Sequence, residues 1–373
     1  MAFQNVFQDA RVLVTGHTGF KGSWLCEWLL ALGAEVHGMA LAPDTEPALF
    51  ELLGLEDRMH HHCGDLRDAV WTLETLRRIA PRFVFHLAAQ PLVRLSYRDP
   101  VGTVASNVMG TVHVLEALRQ SPQPCTLVVI SSDKCYRNLE RDEPYAEDDR
   151  LGGHDPYSAS KAAMELLLDS YRHSFFAVDR PMRIAAASAR AGNVIGGGDW
   201  AQDRLLPDAM RALQQGRSIE VRNPGSTRPW QHVLEPLSGY LQLGARLHEA
   251  ALQGDAPQLE GLCGAFNFGP DPEANRSVRD LIAEVLRHWP GDWRDASCAT
   301  GPHEAGKLNL CAGKAQALLN WRPVWDFSSG VQRSVIWYRQ HAMNSQGVAE
   351  LTRQQIADYT SQARHQGLDW ANP

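Results

Sequence analysis

No stretch of the 373 residues reaches the ~20 consecutive apolar side chains that a membrane-spanning helix needs, which argues against an integral membrane protein. An excess of basic charge is missing too: 36 Lys and Arg stand against 43 Asp and Glu, a net formal charge of −7. Proteins that neutralise phosphate backbones carry the opposite balance, so nucleic acid is not an expected partner. Cysteine is sparse, with seven scattered residues and no CxxC pair, which argues against a disulfide framework or a structural zinc site and suits a reducing compartment. Internal repeats and low-complexity tracts are absent. The opening MAFQNVFQDARVLVTG shows no basic region followed by an apolar run, so a cytoplasmic, unexported protein is expected.

What is present is a chain long enough for two domains, with 44% apolar residues to fill a large core. From Arg11 onward, short β-branched runs alternate with amphipathic stretches, the rhythm of parallel strands joined by helices. Strands are expected at Arg11–Thr15, Glu35–Met39, Arg58–Cys63, Phe83–Leu87, Thr126–Ser131 and Arg183–Ala189. Helices are expected at Lys21–Leu32, Asp68–Ile79, Val101–Arg119 and Pro156–His173. Together these predict an α/β fold with a Rossmann-like, doubly wound parallel sheet. After Ala189 the rhythm breaks into Gly- and Pro-rich connections between helical patterns at Pro207–Gln215, Leu234–Ala251, Val278–His288 and Lys314–Leu319, as in a smaller C-terminal α/β domain. The expected division is 1–190 with a return segment near 231–265, then 191–335, then a polar tail over 336–373 that reads as a peripheral helix. The run His60-His61-His62-Cys63 invites a metal reading, but neighbours on a strand point to opposite faces, so a solvated strand rim and no metal are expected.

Gly16-His17-Thr18-Gly19-Phe20-Lys21-Gly22 follows the first strand and opens the first helix. Glycine allows a tight turn and lets backbone approach a pyrophosphate seated on the amino end of a helix, where free N–H groups and the dipole attract anions. The 1–190 segment is therefore read as dinucleotide-binding. The second strand ends Gly38-Met39-Ala40-Leu41-Ala42-Pro43-Asp44, with no Arg to accept a 2′-phosphate, which favours NAD over NADP.

Tyr157-Ser158-Ala159-Ser160-Lys161 places a phenol and an amine at i and i+4 on one helix face. A neighbouring ammonium and a positive nicotinamide are expected to lower the phenol until it can serve as a base. Ser131-Ser132 lies upstream at the end of the fifth strand, where Ser132 can hydrogen-bond the hydroxyl that Tyr157 deprotonates.

The GxxGxxG spacing with YxxxK resembles the extended short-chain dehydrogenase/reductase superfamily. Asp65-Leu66 resembles its adenine-contacting pair, His86-Leu87-Ala88-Ala89 its nucleotide-flanking turn, and Asn107-Val108-Met109-Gly110-Thr111 the helix that supports it. Asp133 after Ser132 resembles the nucleotide-sugar 4,6-dehydratases rather than the 4-epimerases. Lys134, within SSDKCY, departs from the commoner Glu and resembles the CDP-glucose 4,6-dehydratase group, as do TGHTGFKG, HLAAQPLV, AGNVIGGGDWAQDRLLPD and STRPWQHV. The resemblance covers about residues 8–335.

It implies an oxidation, elimination and reduction of CDP-D-glucose with NAD recycled, Asp133 protonating the departing 6-hydroxyl and Lys134 in the C5 base position. The residues themselves leave open that Lys134 merely pairs with Asp133 or holds the sugar. Substrate contacts are implied for Gln90, Asn193, Arg204, Arg228, His303 and Glu304, with Pro229 replacing the family's usual Asp after Arg228. Trp200 and Trp230 are the tryptophans expected nearest the pocket. The family's helix pairing implies a homodimer or homotetramer. A GDP- or dTDP-linked dehydratase, a 4-epimerase, and a non-catalytic dinucleotide sensor are the competing readings.

Overall fold

Val12, Leu13 and Val14 are all buried, because β1 (Arg11–Thr15) is an interior strand of a sheet covered on both faces. The computed structural model describes residues 2–176, 184–297 and 307–372. Six more strands run parallel to β1: β2 (Glu35–Ala40), β3 (His60–Cys63), β4 (Phe83–His86), β5 (Cys125–Ile130), β6 (Ile184–Arg190) and β7 (Ala265–Asn267). Their spatial order is β3-β2-β1-β4-β5-β6-β7. The order reverses between β1 and β4, which opens a crevice at the carboxyl ends of those strands, the ligand position of doubly wound sheets.

The predicted strands form within a residue or two of their expected limits, but the sheet has one more. β7 is three residues long, too short to signal itself, and adds to β6 with Ala265 beside Ser188 and Asn267 beside Arg190.

Covering helices follow from capping and amphipathic spacing. α1 (Phe20–Ala31) follows the glycine turn, and α2 (Ala69–Ile79) starts on Asp68, whose carboxylate accepts from the Val70 and Trp71 N–H groups at 3.0 Å. The single helix expected over Val101–Arg119 is instead broken. A turn of helix at Pro100–Val104 passes through a wide π turn at Ala105–Met109 before α3 (Gly110–Arg119) begins. Such widened turns cluster at functional positions, and this one carries Asn107. α4 (Pro156–Ser174) is capped by Asp155, which accepts from the Ser158 N–H at 2.9 Å.

Further on come α5 (Leu205–Gln214), α6 (Leu234–Gln253), α7 (Val278–His288), α8 (Phe327–Met343) and α9 (Val348–His365). α6 returns to pack against β5 and β6. Short strand pairs Val194–Ile195 with Gln231–His232, Ile219–Val221 with Trp293–Asp295, and Thr227–Pro229 with Asn275–Ser277 tie the loops of this part together. The tail is not peripheral: Tyr359 and Trp370 are buried, and Trp370 stacks on Phe3 with ring centroids 4.9 Å apart. Periodic apolar positions on a mostly polar helix suffice to dock it. No helix among the described residues is long and apolar enough to cross a membrane.

Candidate active site

The turn after β1 shapes the crevice. Gly16 has φ +73, and a Cβ there would lie 2.8 Å from the Ala88 backbone, so only glycine lets the β1 and β4 turns approach this closely. Thr15 stitches them further: its hydroxyl accepts from the Ala88 N–H at 3.1 Å, and its carbonyl accepts from the Leu87 N–H at 3.2 Å. Thr18 donates to the Leu41 carbonyl at 3.0 Å. Gly19 caps α1 without a side-chain acceptor, so the first N–H groups, those of Phe20, Lys21 and Gly22, are left for an anion, while the Ser23 N–H already donates to the Gly19 carbonyl at 2.9 Å. The His17 ring faces away, packed over Gly38 and 2.6 Å from His61, and burial lowers its pKa to about 3. It enters any cofactor contact through its backbone rather than its imidazole.

Asp65 accepts from the Arg67 backbone and guanidinium at 2.9 and 2.8 Å, and Arg67 holds the carboxyl below its ordinary range. Leu66 anchors α3 through its carbonyl, 2.7 Å from His113 Nδ1. A buried chain of hydrogen bonds then links Thr15 to His86 at 2.7 Å, His86 to Thr111 at 3.0 Å, Thr111 to the Asn107 carbonyl at 2.7 Å and Asn107 to Ser160 at 2.8 Å. The π turn thus places Asn107 between the β4 turn bearing Ala88 and Ala89 and the helix bearing Tyr157.

At the end of β5 the chain turns through Asp133–Cys135. The Ser132 hydroxyl donates to Asp133 Oδ1 at 2.8 Å and accepts from the Lys134 N–H at 3.2 Å. Gly192 makes room for that carboxylate, since a Cβ there would lie 2.0 Å from Asp133 Oδ2. Lys134 is half-buried, and among the described residues its amine makes no ion pair with Asp133.

Tyr157 and Lys161 are both buried on α4, the Lys161 amine 3.4 Å from the Ile130 carbonyl. Burial raises the Tyr157 phenol to about 12, with the Ser132 hydroxyl and Arg204 acting against it, so the chain's own groups do not produce the lowered phenol expected from YxxxK. Lys161 is lowered to about 8 by burial.

The implied substrate residues fare unevenly. Gln90 is engaged by the protein: its N–H donates to Asn107 at 2.7 Å, its amide donates to Thr103 at 2.9 Å, and its carbonyl accepts from Leu92, so the side chain secures the loop. Asn193 sits just past β6 with φ +51, a left-handed turn. Arg204 pairs with buried Asp199 at 2.7 Å and its charge is felt at Tyr157 and Lys21. Arg228 lies on a short strand and donates to the Thr227 carbonyl at 2.8 Å. His303 and Glu304 lie outside the described residues. Of the tryptophans, Trp200 packs edge-on against Tyr338 with centroids 5.1 Å apart, and Trp230 donates to the Arg276 carbonyl at 3.1 Å.

Two features escaped sequence reasoning. Lys21 is more than part of the glycine turn: burial lowers it to about 8, Arg204 and Lys161 push the same way, and Asp133 and Asp199 oppose them. A lysine in the first turn of a helix opposes the dipole, which was the available signal. Beneath Lys161, Glu165 and Arg190 form a buried ion pair at 3.0 Å, joined by Ser188 and by Tyr136, whose hydroxyl accepts from Arg190 at 2.7 Å. Its members come from three distant segments, so no spacing could reveal it.

The family model described as GDP-mannose 4,6 dehydratase matches residues 13–249. The chain is 44% identical over 367 residues to a CDP-glucose 4,6-dehydratase of Salmonella typhimurium, covering 97% of this chain and 99% of that protein. It is 27% identical to a dTDP-glucose 4,6-dehydratase of Streptomyces griseus, covering 88% and 94%. Among solved structures, the Streptomyces venezuelae dTDP-glucose 4,6-dehydratase DesIV, with NAD and TYD bound, superposes with a TM-score of 0.74 at 23% identity, covering 88% and 97%. A crevice at the strand reversal, a Ser-Asp-Lys turn and a Tyr-Lys helix converge with these likenesses: the chain belongs to the family of the GDP-mannose 4,6-dehydratases.

Proposed function

We propose that the chain converts CDP-D-glucose to CDP-4-dehydro-6-deoxy-D-glucose with loss of water, using NAD that ends each cycle oxidised, as a step in deoxysugar biosynthesis. The observation that carries this reading is the 44% identity to the Salmonella typhimurium CDP-glucose 4,6-dehydratase along essentially both whole chains. The close approach of Gly16 to Ala88 and the uncapped start of α1 form a cradle suited to a dinucleotide pyrophosphate. Bound there, NAD supplies the acceptor and later donor of hydride, which leaves the proton traffic to the protein.

Tyr157 takes the proton of the sugar 4-hydroxyl, with Ser132 holding that hydroxyl and Lys161 placing positive charge under the phenol. Burial, the largest cause, leaves the phenol near 12, so Tyr157 needs further positive charge to work as a base, which a bound oxidised nicotinamide would supply. The 4-ketone then acidifies the C5 hydrogen. Lys134 takes that hydrogen as a proton, Asp133, held by the Ser132 hydroxyl, protonates the departing 6-hydroxyl, and Lys134 gives its proton back to C5 as C6 receives the returning hydride. Asn193, Arg204 and Arg228 project from the 191–335 segment, which we assign to gripping the nucleoside diphosphate; arginine suits that role by its paired donors.

A homodimer is proposed from the surface over residues 97–119 and α4, where Tyr97, Val101, Met109 and Leu166 are exposed, Val101 at 79%. A monomeric mass by light scattering would contradict it. The six cysteines among the described residues are free, which fits a cytoplasmic setting. The decisive experiment incubates purified protein with CDP-D-glucose and NAD and follows loss of one water by mass spectrometry. Product is expected; turnover of a GDP-, dTDP- or UDP-linked sugar in preference to the CDP form would overturn the substrate, and an inverted 4-hydroxyl without dehydration would overturn the reaction.

A further inference from the structure

Strand alternation sends the consecutive histidines of β3 to both sides of the sheet. His61 turns to the face occupied by His17 and Phe50, with ring centroids 4.8 and 5.1 Å away. His60 and His62 take the other face, where they meet β2. The parallel register sets His60 beside His37, and Glu35, two residues before His37, points the same way. The His37 and His60 rings stack with centroids 4.4 Å apart. His37 Nε2 lies 3.1 Å from Glu35 Oε1, and His60 Nε2 lies 3.8 Å from the same oxygen. One ligand atom from each of the three residues falls within 4.8 Å of the others. A tetrahedral ion with bonds of about 2.0–2.2 Å holds its ligand atoms roughly 3.3 Å apart, so these side chains need to move only slightly to share one.

We propose that Glu35, His37 and His60 bind a divalent transition-metal ion of the zinc class at the edge of the sheet, outside the active site. Two imidazoles and a carboxylate favour such an ion over magnesium or calcium, which prefer oxygen donors. His62 supplies the supporting contact: its Nε2 is 3.3 Å from His37 Nδ1. When His37 Nε2 gives its lone pair to the ion, the ring proton resides on Nδ1 and donates to His62, the outer hydrogen bond that orients metal-bound histidines. Glu35 and His60 are open to solvent, their side chains 47% and 60% exposed, so the ion has an entry path and water completes its coordination.

β2 and β3 reach this point by their amino-terminal halves, whereas the crevice lies at the carboxyl ends of the strands. The ion therefore acts as a clamp between the outermost two strands of that edge and has no part in the sugar chemistry.

The test uses untagged, chelator-stripped, full-length protein titrated with Zn²⁺ by calorimetry and followed by thermal unfolding. Binding of one ion per chain with a rise in melting temperature is expected. His60→Ala should abolish both effects, Glu35→Gln should weaken binding by about tenfold or more, and Cys63→Ser should change neither. Because His60 is exposed, its variant should fold, which circular dichroism checks. No binding in the parent protein, binding that survives His60→Ala, or binding lost in Cys63→Ser would each overturn the assignment.

Discussion

Asp133 and Glu235 are both buried carboxylates, yet their surroundings give them different work. Glu235, on α6, receives the Val324 N–H at 2.9 Å, the Trp325 N–H at 2.8 Å and the Tyr359 hydroxyl at 2.7 Å, so both its oxygens are engaged by protein. Asp133 receives one hydrogen bond, from Ser132 next door, and otherwise faces glycine and the crevice. Three donors from two remote segments make Glu235 a junction for the C-terminal helices. With one local donor, Asp133 keeps acceptor capacity that the protein does not fill, which suits the proposed acid role.

Acid is the coarsest probe of that contrast, because it should fail to separate the two regions. His86 and His17 beside the crevice and His232 elsewhere are buried, and burial lowers each to about 3 from an unfolded value of 6.5. A lowered folded pKa contributes stability that is present above 6.5 and lost as pH falls from 6.5 toward 3. Each histidine should remove up to about 1.4 kcal/mol per pH unit in that window. Tryptophan fluorescence and near-UV circular dichroism should show one cooperative loss; two separate transitions would mean that the site and the scaffold unfold independently.

Substitutions should then pull the regions apart. Tyr157→Phe is expected to lower turnover by about 10³-fold and leave the melting temperature unchanged. Glu235→Ala is expected to do the reverse, costing about 3 kcal/mol through stranded N–H groups and a hydroxyl while the folded fraction keeps its turnover. Urea unfolding beside steady-state rates measures both. Lys134→Ala should lose roughly 10²-fold in product formation yet still reduce bound cofactor, visible as NADH absorbance; an unchanged rate would remove Lys134 from the reaction.

The parts of the fold written in local chemistry were legible. Three of the first six strands announced themselves by runs of Val, Leu, Ile and Phe, at Arg11–Thr15, Phe83–His86 and Cys125–Ile130, and Gly16 by the turn it had to make. What was hidden depends on partners far along the chain. The break in the helix after Pro100 serves Asn107, whose partners Gln90 and Ser160 lie in other elements. Nothing local shows that Gln90, expected to contact the sugar, also holds its own loop through Thr103 and Leu92. Tyr157 was expected to titrate low under the joint charge of its lysine neighbour and a nicotinamide, whereas among the protein's own groups its burial, a property of the whole fold, dominates. The rule that consecutive strand residues diverge correctly split His60 from His61, but looking along one strand could not reveal Glu35 and His37 across the next. Arg190 and Glu165 meet for the same reason, through strand and helix brought together only by packing.

The late strand β7 bears on how the protein is made. A ribosome releases β6 well before Ala265–Asn267, so the nascent sheet carries an unpaired outer edge at Ile184–Arg190 while the intervening loops and α6 are still being translated. Open edges of this kind recruit foreign strands. The growing chain thus has a stage of translation at which chaperone cover matters most, and fragments released by ribosome stalling between β6 and β7 would be more prone to aggregate than the finished enzyme.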